Sequence, residues 1–141
     1  MGYRYGWGRG RGRGMGWETA QNFPQLPPPV GVRYAAAVDT NAGLDSIISI
    51  RAGRAPFVAF IDISGNKVVN VAVHPNPAAV APGGAGVMLG QWLISSGVRV
   101  FFASRIGPNI GMVLNQAGVR VEIVPPGTRI RDILARLGII A

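Results

Sequence analysis

Apolar residues recur along residues 30–141 in two patterns: short continuous runs, and longer stretches with helical spacing. Five runs rich in valine, isoleucine, alanine and phenylalanine predict strands at residues 30–39, 55–63, 65–74, 98–104 and 119–124. Three stretches that each end in glycine predict helices at residues 85–97, 107–118 and 128–138. The predicted elements therefore follow one another in the order β-β-β-α-β-α-β-α.

This order predicts one α/β domain with a mixed five-stranded sheet and three helices. Ser64-Gly65-Asn66 supplies a tight turn between the second and third strands, so the first three strands are expected to form an antiparallel meander. The fourth and fifth strands each follow a helix, which favours right-handed crossovers and an orientation parallel to the first strand. In outline, this arrangement resembles the ribonuclease H fold.

Five loops are expected to meet at the sheet edge where the parallel strands end, which is where α/β proteins usually bind ligands. Three of these loops lead directly into helices through the sequences PGGAG, GPN and PPGT. The backbone N–H groups and the positive dipole end of a helix start attract anions without any charged side chain. Arg51, Arg54 and Arg105 lie beside these loops, so the edge is a candidate anion site. A single loop of this kind is more typical of ordinary helix capping, and it is the presence of three at one edge that favours a ligand site.

Side chains suited to catalysis are scarce in residues 30–141. The acidic residues there are Asp39, Asp45, Asp62, Glu122 and Asp132. Their positions do not bring several carboxylates to one metal, as a ribonuclease H-like nuclease requires. The single histidine, His74, is the only candidate base for a serine nucleophile, and in a proline-rich loop it is more typical of a hydrogen-bonding residue. No Walker loop or dinucleotide-binding spacing is present. The sequence therefore predicts a binding protein and not an enzyme.

Residues 1–29 differ in composition from the rest of the chain. Glycine and arginine alternate there with tyrosine and tryptophan, and the proline-rich spacer FPQLPPP follows, which predicts a disordered tail ahead of a domain at residues 30–141. One interpretation is an arm that binds nucleic acid; its candidate residues are Arg4, Arg9, Arg11, Arg13, Trp7 and Trp17. The other interpretation is a solubilising tail or a weak contact arm.

The net charge of +8 comes almost entirely from arginine, which favours an anionic partner. The chain has no cysteine, so disulfides, thiolate nucleophiles and cysteine-bound iron–sulfur clusters are excluded. Prolines and glycines interrupt the uncharged stretch 68–98 well short of the roughly 20 apolar residues that a membrane helix needs. Because no apolar leader opens the chain, a cytoplasmic protein without membrane contact is expected. The sequence leaves the oligomeric state open.

Four short motifs carry a resemblance to a known family. They are GRAP at residues 53–56, NPAAVAPGGAG at 76–86, GPN at 107–109 and AGV at 117–119. In this order and spacing, over about residues 31–137, the chain resembles the dinitrogenase iron–molybdenum cofactor biosynthesis family, which includes NifX-like carriers and the C-terminal domain of the NifB-like synthase. The resemblance implies a ribonuclease-H-like fold without nuclease activity.

The resemblance also implies non-enzymatic binding or carriage of an anionic iron–sulfur or iron–molybdenum-type cluster, or of its precursor. Such a cluster is not required for folding, and the implied partner is a cofactor-assembly or acceptor protein. The expected cofactor-binding residues are Arg51, Gly53, Arg54, His74, Asn76, Pro82, Gly83, Gly84, Ala85, Gly86, Gly107, Pro108 and Asn109.

One position departs from the pattern of the family. Members commonly read His-Phe-Gly-Arg-Ala where this chain reads Arg51-Ala52-Gly53-Arg54-Ala55. An arginine does not ligate a metal, but it holds an anion through charge-assisted hydrogen bonds. His74, which is expected near the same edge, is then the candidate metal ligand.

Overall fold

The structure, a computed structural model, describes residues 23–141. Its strands are β1 (Val32–Val38), β2 (Phe57–Ser64), β3 (Lys67–Pro75), β4 (Val98–Ala103) and β5 (Arg120–Ile123). Its α-helices are α1 (Ala85–Ser95), α2 (Pro108–Gln116) and α3 (Ile130–Arg136). Two short 3₁₀ helices span Gly43–Asp45 and Pro77–Val80. The predicted order of strands and α-helices is confirmed.

The strands form one mixed sheet in the order β3-β2-β1-β4-β5. β2 pairs antiparallel with both β1 and β3, whereas β4 runs parallel to both β1 and β5. Between β2 and β3, the two-residue turn Gly65-Asn66 has φ angles of 60° and 64°. Two successive positive φ angles are typical of a type I′ turn, whose twist matches that of a hairpin. The predicted meander, followed by two parallel strands, is confirmed.

Helices cover both faces of the sheet, and the side chains of β1 alternate between two cores. Ala35 and Ala37 belong to the core that α1 and α2 close, whereas Ala36 and Val38 belong to the core that α3 closes. This alternation follows from the two-residue period of a strand. Helices therefore shield the central strands of the sheet on both faces.

Residues 23–29 form a strap that packs on the domain, although the sequence assigned them to the tail. Phe23 is buried, with its ring centroid 5.2 Å from that of Trp92 in an edge-to-face arrangement. The indole N–H of Trp92 donates to the carbonyl oxygen of Pro24 at 2.9 Å. The packed part of the chain therefore begins at least seven residues before the predicted boundary at residue 30. The reason is that a buried tryptophan needs both apolar cover and an acceptor for its N–H group.

A buried ion pair joins β1 to β2. Arg33 and Asp62 are each 2 % exposed, and the guanidinium donates to both carboxylate oxygens, at 2.7 and 3.0 Å. Arg33 also donates to the carbonyl oxygen of Ser96 at 2.8 Å, which ties the pair to the end of α1. Burial alone would raise the pKa of Asp62, but the hydrogen bonds from Arg33 and from the Val30 N–H group outweigh it and hold this pKa below its usual range.

The six residues proposed to contact nucleic acid lie outside the described residues. Among the helices of residues 23–141, none has both the length and the apolar character needed to span a bilayer.

Candidate functional site

A groove of about 440 Å³ opens at the end of the sheet where the parallel strands β1 and β4 finish. Three segments line it: residues 50–54 of the loop before β2, residues 84–87 at the start of α1, and residues 105 and 107–110 at the start of α2. Most of the residues predicted to bind a cofactor are brought together here; they are Arg51, Gly53, Arg54, Gly84, Ala85, Gly86, Gly107, Pro108 and Asn109. This is the edge at which the sequence predicted an anion site.

Two helices direct their first turns at the groove. Gly84 precedes α1 with φ 70°, a left-handed conformation that favours glycine, and Gly107 precedes α2. No side chain of residues 23–141 caps either helix start. The first N–H groups of an α-helix have no partner within the helix, so they remain available to a ligand. Together with the positive ends of the helix dipoles, they favour an anion.

Arginines supply the charge of the groove. Arg51 and Arg105 are exposed and form no ion pair with any residue in the described part of the chain. Arg54 also lines the groove, but one terminal nitrogen of its guanidinium donates to the carbonyl oxygens of Ala79 and Ala81, at 3.1 and 2.9 Å. No acidic side chain of residues 23–141 lines the groove. All charged side chains that line the groove are therefore positive.

Residues 50–54, which carry Arg51 and Arg54, form the arginine loop. Gly53 sets the distance between this loop and α1. A Cβ atom at this position would lie 2.8 Å from the backbone nitrogen of Gly86 and 2.9 Å from its Cα atom. Such distances are not tolerated between backbone atoms, so only glycine fits here. On the far side of the loop, the Ser104 hydroxyl donates to the carbonyl oxygen of Ser49 at 2.8 Å and links the loop to the residue after β4.

Replacing Gly53 with alanine is expected to destabilise the protein by about 1–3 kcal/mol, because the loop and the first turn of α1 must separate to admit the methyl group. Gly83→Ala is the matched control, since its added Cβ would meet nothing within 4 Å and its φ is not in the left-handed range. Urea denaturation of both variants measures the difference. Equal stability of the two variants would contradict the close approach.

Four of the predicted cofactor-binding residues do not line the groove. Asn76 is 5 % exposed, and its side-chain amide is hydrogen-bonded to backbone groups. Pro82 and Gly83 are exposed in the turn before α1. His74 lies on β3 at the side of the sheet covered by α1, with its ring centroid 5.9 Å from that of Phe60 and 6.4 Å from that of Trp92.

His74 does not belong to a cluster of metal-ligating side chains within residues 23–141. Within residues 23–141, no group of three or more histidine, cysteine, aspartate or glutamate residues is arranged to hold a metal ion. His74 instead has aromatic neighbours, and its role as a metal ligand stays a prediction.

Apolar residues complete the wall of the groove and were absent from the predicted site. Ile50, Val87 and Ile110 lie next to predicted residues in the chain, but nothing in their own pattern separates them from core residues. Arg105, which the sequence placed only beside the site, lines the groove directly. Its position just after β4, at the carboxyl end of a parallel strand, is the signal that locates it.

Comparison with known proteins assigns this arrangement to a family. The family model described as "Dinitrogenase iron-molybdenum cofactor" matches residues 32–138, which include the whole groove. The chain belongs to the dinitrogenase iron-molybdenum cofactor family. The resemblance seen in the sequence is thereby confirmed.

Solved structures with the same fold agree with membership of this family. The crystal structure of PH0822 is 27 % identical, with a TM-score of 0.64 over 76 % of this chain and 90 % of that protein. The NMR structure of TM1290 from Thermotoga, described as a candidate NifB protein, is 29 % identical, with a TM-score of 0.61 over 75 % and 86 %. The apo form of the orange protein from Desulfovibrio gigas, 24 % identical with a TM-score of 0.68 over 77 % and 88 %, shares the fold. A search of curated proteins found no match.

Proposed function

We propose that this chain binds and carries an anionic iron–sulfur or iron–molybdenum-type cluster, or its precursor, without acting as an enzyme. The groove at the starts of α1 and α2 is the proposed site. One observation carries this proposal. The described lining of the groove combines three exposed arginines with two uncapped helix starts, and includes no histidine, cysteine, aspartate or glutamate.

This set of donors fits a ligand whose metals are already coordinated. A cluster that carries its own sulfide or oxide ligands presents anionic acceptors at its surface, and N–H groups of arginine and backbone bind such acceptors through charge-assisted hydrogen bonds. Binding of this kind breaks no metal–protein bond when the cluster leaves. It therefore suits a carrier that must pass its cargo on.

The arginine at position 51 supports the same mode of binding. The family resemblance implies a histidine here, which would ligate a metal directly. Arg51 instead adds a fixed positive charge and a planar set of donors to the groove wall. Cargo would then be held as an anion and not through its metal.

The distribution of carboxylates supports a role without catalysis. Asp45, Asp62, Glu122 and Asp132 each pair with an arginine, and all four lie outside the groove lining. Asp39, the fifth acidic residue of the described chain, also lies outside the groove lining, so no carboxylate of residues 23–141 is placed there to act as a general acid or base on a bound ligand. The strand order β3-β2-β1-β4-β5 supports a grouping of the sheet with ribonuclease-H-like folds.

The family name supports a cofactor-assembly protein as the partner that delivers or receives the cargo. The uncharged stretch 68–98 includes the start of α1, so the α1 side of the groove offers a partner a surface without charged side chains of its own.

Titration with tetrathiomolybdate, a dianion in which sulfide completes the coordination of molybdenum, tests the proposal. Isothermal titration calorimetry of the full chain under anaerobic conditions is expected to show saturable binding of one anion per chain. Excess molybdate is expected to compete, because an oxo dianion offers the same kind of acceptor. Absence of saturable binding, or binding that molybdate leaves unchanged, would contradict the proposed function.

A further inference from the structure

Asn76 connects two segments that meet at the groove, although it does not line the groove itself. Its amide nitrogen donates to the carbonyl oxygens of Gly53, at 3.0 Å, and Ala55, at 2.9 Å. Its amide oxygen accepts from the N–H group of Ala78 at 3.0 Å. Both amide hydrogens and the amide oxygen are thus engaged with the backbone, which leaves a buried side chain with little capacity to hold a ligand.

The two segments joined by Asn76 set the position of the anion donors. Gly53 lies two residues after Arg51 and is in backbone contact with Gly86 in the first turn of α1. Ala78 belongs to the 3₁₀ helix Pro77–Val80, which leads into α1 through a short turn. The hydrogen bonds of Asn76 therefore fix the arginine loop relative to the start of α1.

Arg54 reinforces the same connection from the other side. Its guanidinium bridges the carbonyl oxygens of Ala79 and Ala81, so a residue next to Gly53 also holds the segment that precedes α1. These bonds help to hold the segment before α1 next to the arginine loop.

We propose that Asn76 is a positioning residue for anion binding in the groove: it holds the arginine loop against the start of α1 and does not contact the ligand. This inference rests on the proposed function, since it names a residue that acts on the same site. It also changes the role that the sequence suggested for Asn76, which was a direct cofactor contact. The donors must keep their positions closely, because hydrogen-bonded anion sites lose affinity when their donors move apart.

Asn76→Ala is expected to weaken tetrathiomolybdate binding at least tenfold, although it removes no donor from the groove lining. Ile133→Ala is the control for a general loss of stability, since Ile133 is buried in the core on the opposite face of the sheet. We expect Ile133→Ala to keep the wild-type affinity. Equal affinity of Asn76→Ala and wild type, or an equal loss in both variants, would overturn the positioning role.

A second measurement in the free protein separates failure of this inference from failure of the proposed function. The Met88 N–H group donates to the carbonyl oxygen of Gly84 and forms the first hydrogen bond of α1. Its hydrogen exchange is expected to be at least tenfold faster in Asn76→Ala than in Ile133→Ala. Similar exchange in the two variants would refute the positioning role even if the wild type binds no thiomolybdate.

If Asn76→Ala does not fold, Asn76→Ser is the variant for both measurements. Serine can still accept from the Ala78 N–H group, but it is too short to bridge the carbonyl oxygens of Gly53 and Ala55. We again expect weaker tetrathiomolybdate binding and faster Met88 N–H exchange than in Ile133→Ala. An unchanged affinity together with unchanged Met88 exchange would overturn the inference.

Discussion

Replacing Asp62 with asparagine is expected to lower the free energy of unfolding by about 3–5 kcal/mol. The carboxylate accepts two hydrogen bonds from Arg33, and both side chains are 2 % exposed. An asparagine of the same size leaves the Arg33 guanidinium buried without a counterion. Most of the lost stability therefore comes from leaving a buried charge without a counterion. The lost hydrogen bond contributes a smaller part.

Asp132→Asn is the matched control, because its pair with Arg129 is largely exposed and contributes little. Urea denaturation at pH 7 measures the free energy of unfolding of both variants. A loss at Asp62 no larger than the loss at Asp132 would contradict a stabilising role for the buried pair.

The same pair predicts how stability depends on pH. The pKa of Asp62 is lower in the folded protein than in the unfolded chain. The pair therefore contributes its full stabilisation above the unfolded-state value of about 3.9, and this contribution is lost as the pH falls through the lower folded-state pKa. We expect the stability difference between wild type and Asp62→Asn to shrink below about pH 4. A constant difference between pH 7 and pH 3 would contradict the assignment.

Replacing Arg51 and Arg105 together with alanine is expected to weaken tetrathiomolybdate binding at least a hundredfold. Each charge-assisted hydrogen bond contributes about 1.5–3 kcal/mol, and about 1.4 kcal/mol corresponds to a factor of ten in affinity. Two lost contacts therefore lower the affinity by a factor of about 100 or more. Calorimetric titration measures the dissociation constant of each variant.

The control is the double variant Arg99→Ala and Arg136→Ala. It removes the same net charge from exposed arginines that lie away from the groove and form no ion pair within residues 23–141. We expect this variant to bind nearly as tightly as wild type, because exposed charges beyond about 10 Å are screened at moderate salt. An equal loss of affinity in the two double variants would mean that net charge, and not the groove, attracts the anion.

The sheet and the groove were accessible from the sequence because local signals determine them. The Gly65-Asn66 turn determines the pairing of β2 with β3, and strands that follow helices are expected to run parallel. Once those strands are parallel, their carboxyl ends must share an edge, so the loops that contain Arg51 and Gly107 converge.

Long-range contacts were not accessible from the sequence. A long connection joins β1 to β2, so no tight turn fixes the register that places Arg33 opposite Asp62. Phe23 lies in a proline-rich segment without periodicity, so nothing indicated that it packs on Trp92. Asn76 was expected near the ligand, but its hydrogen bonds reach residues more than twenty positions earlier in the chain.

The location of molybdenum in a crystal of the tetrathiomolybdate complex tests the proposed binding mode most directly. Anomalous diffraction at the molybdenum absorption edge identifies the atom without reference to the protein. We expect one molybdenum site in the groove, between Arg51, Arg105 and the first turn of α1, with all four sulfides retained. Molybdenum beside His74, or a nitrogen atom of the protein in its coordination shell, would contradict the claim that this chain holds its cargo as a fully coordinated anion.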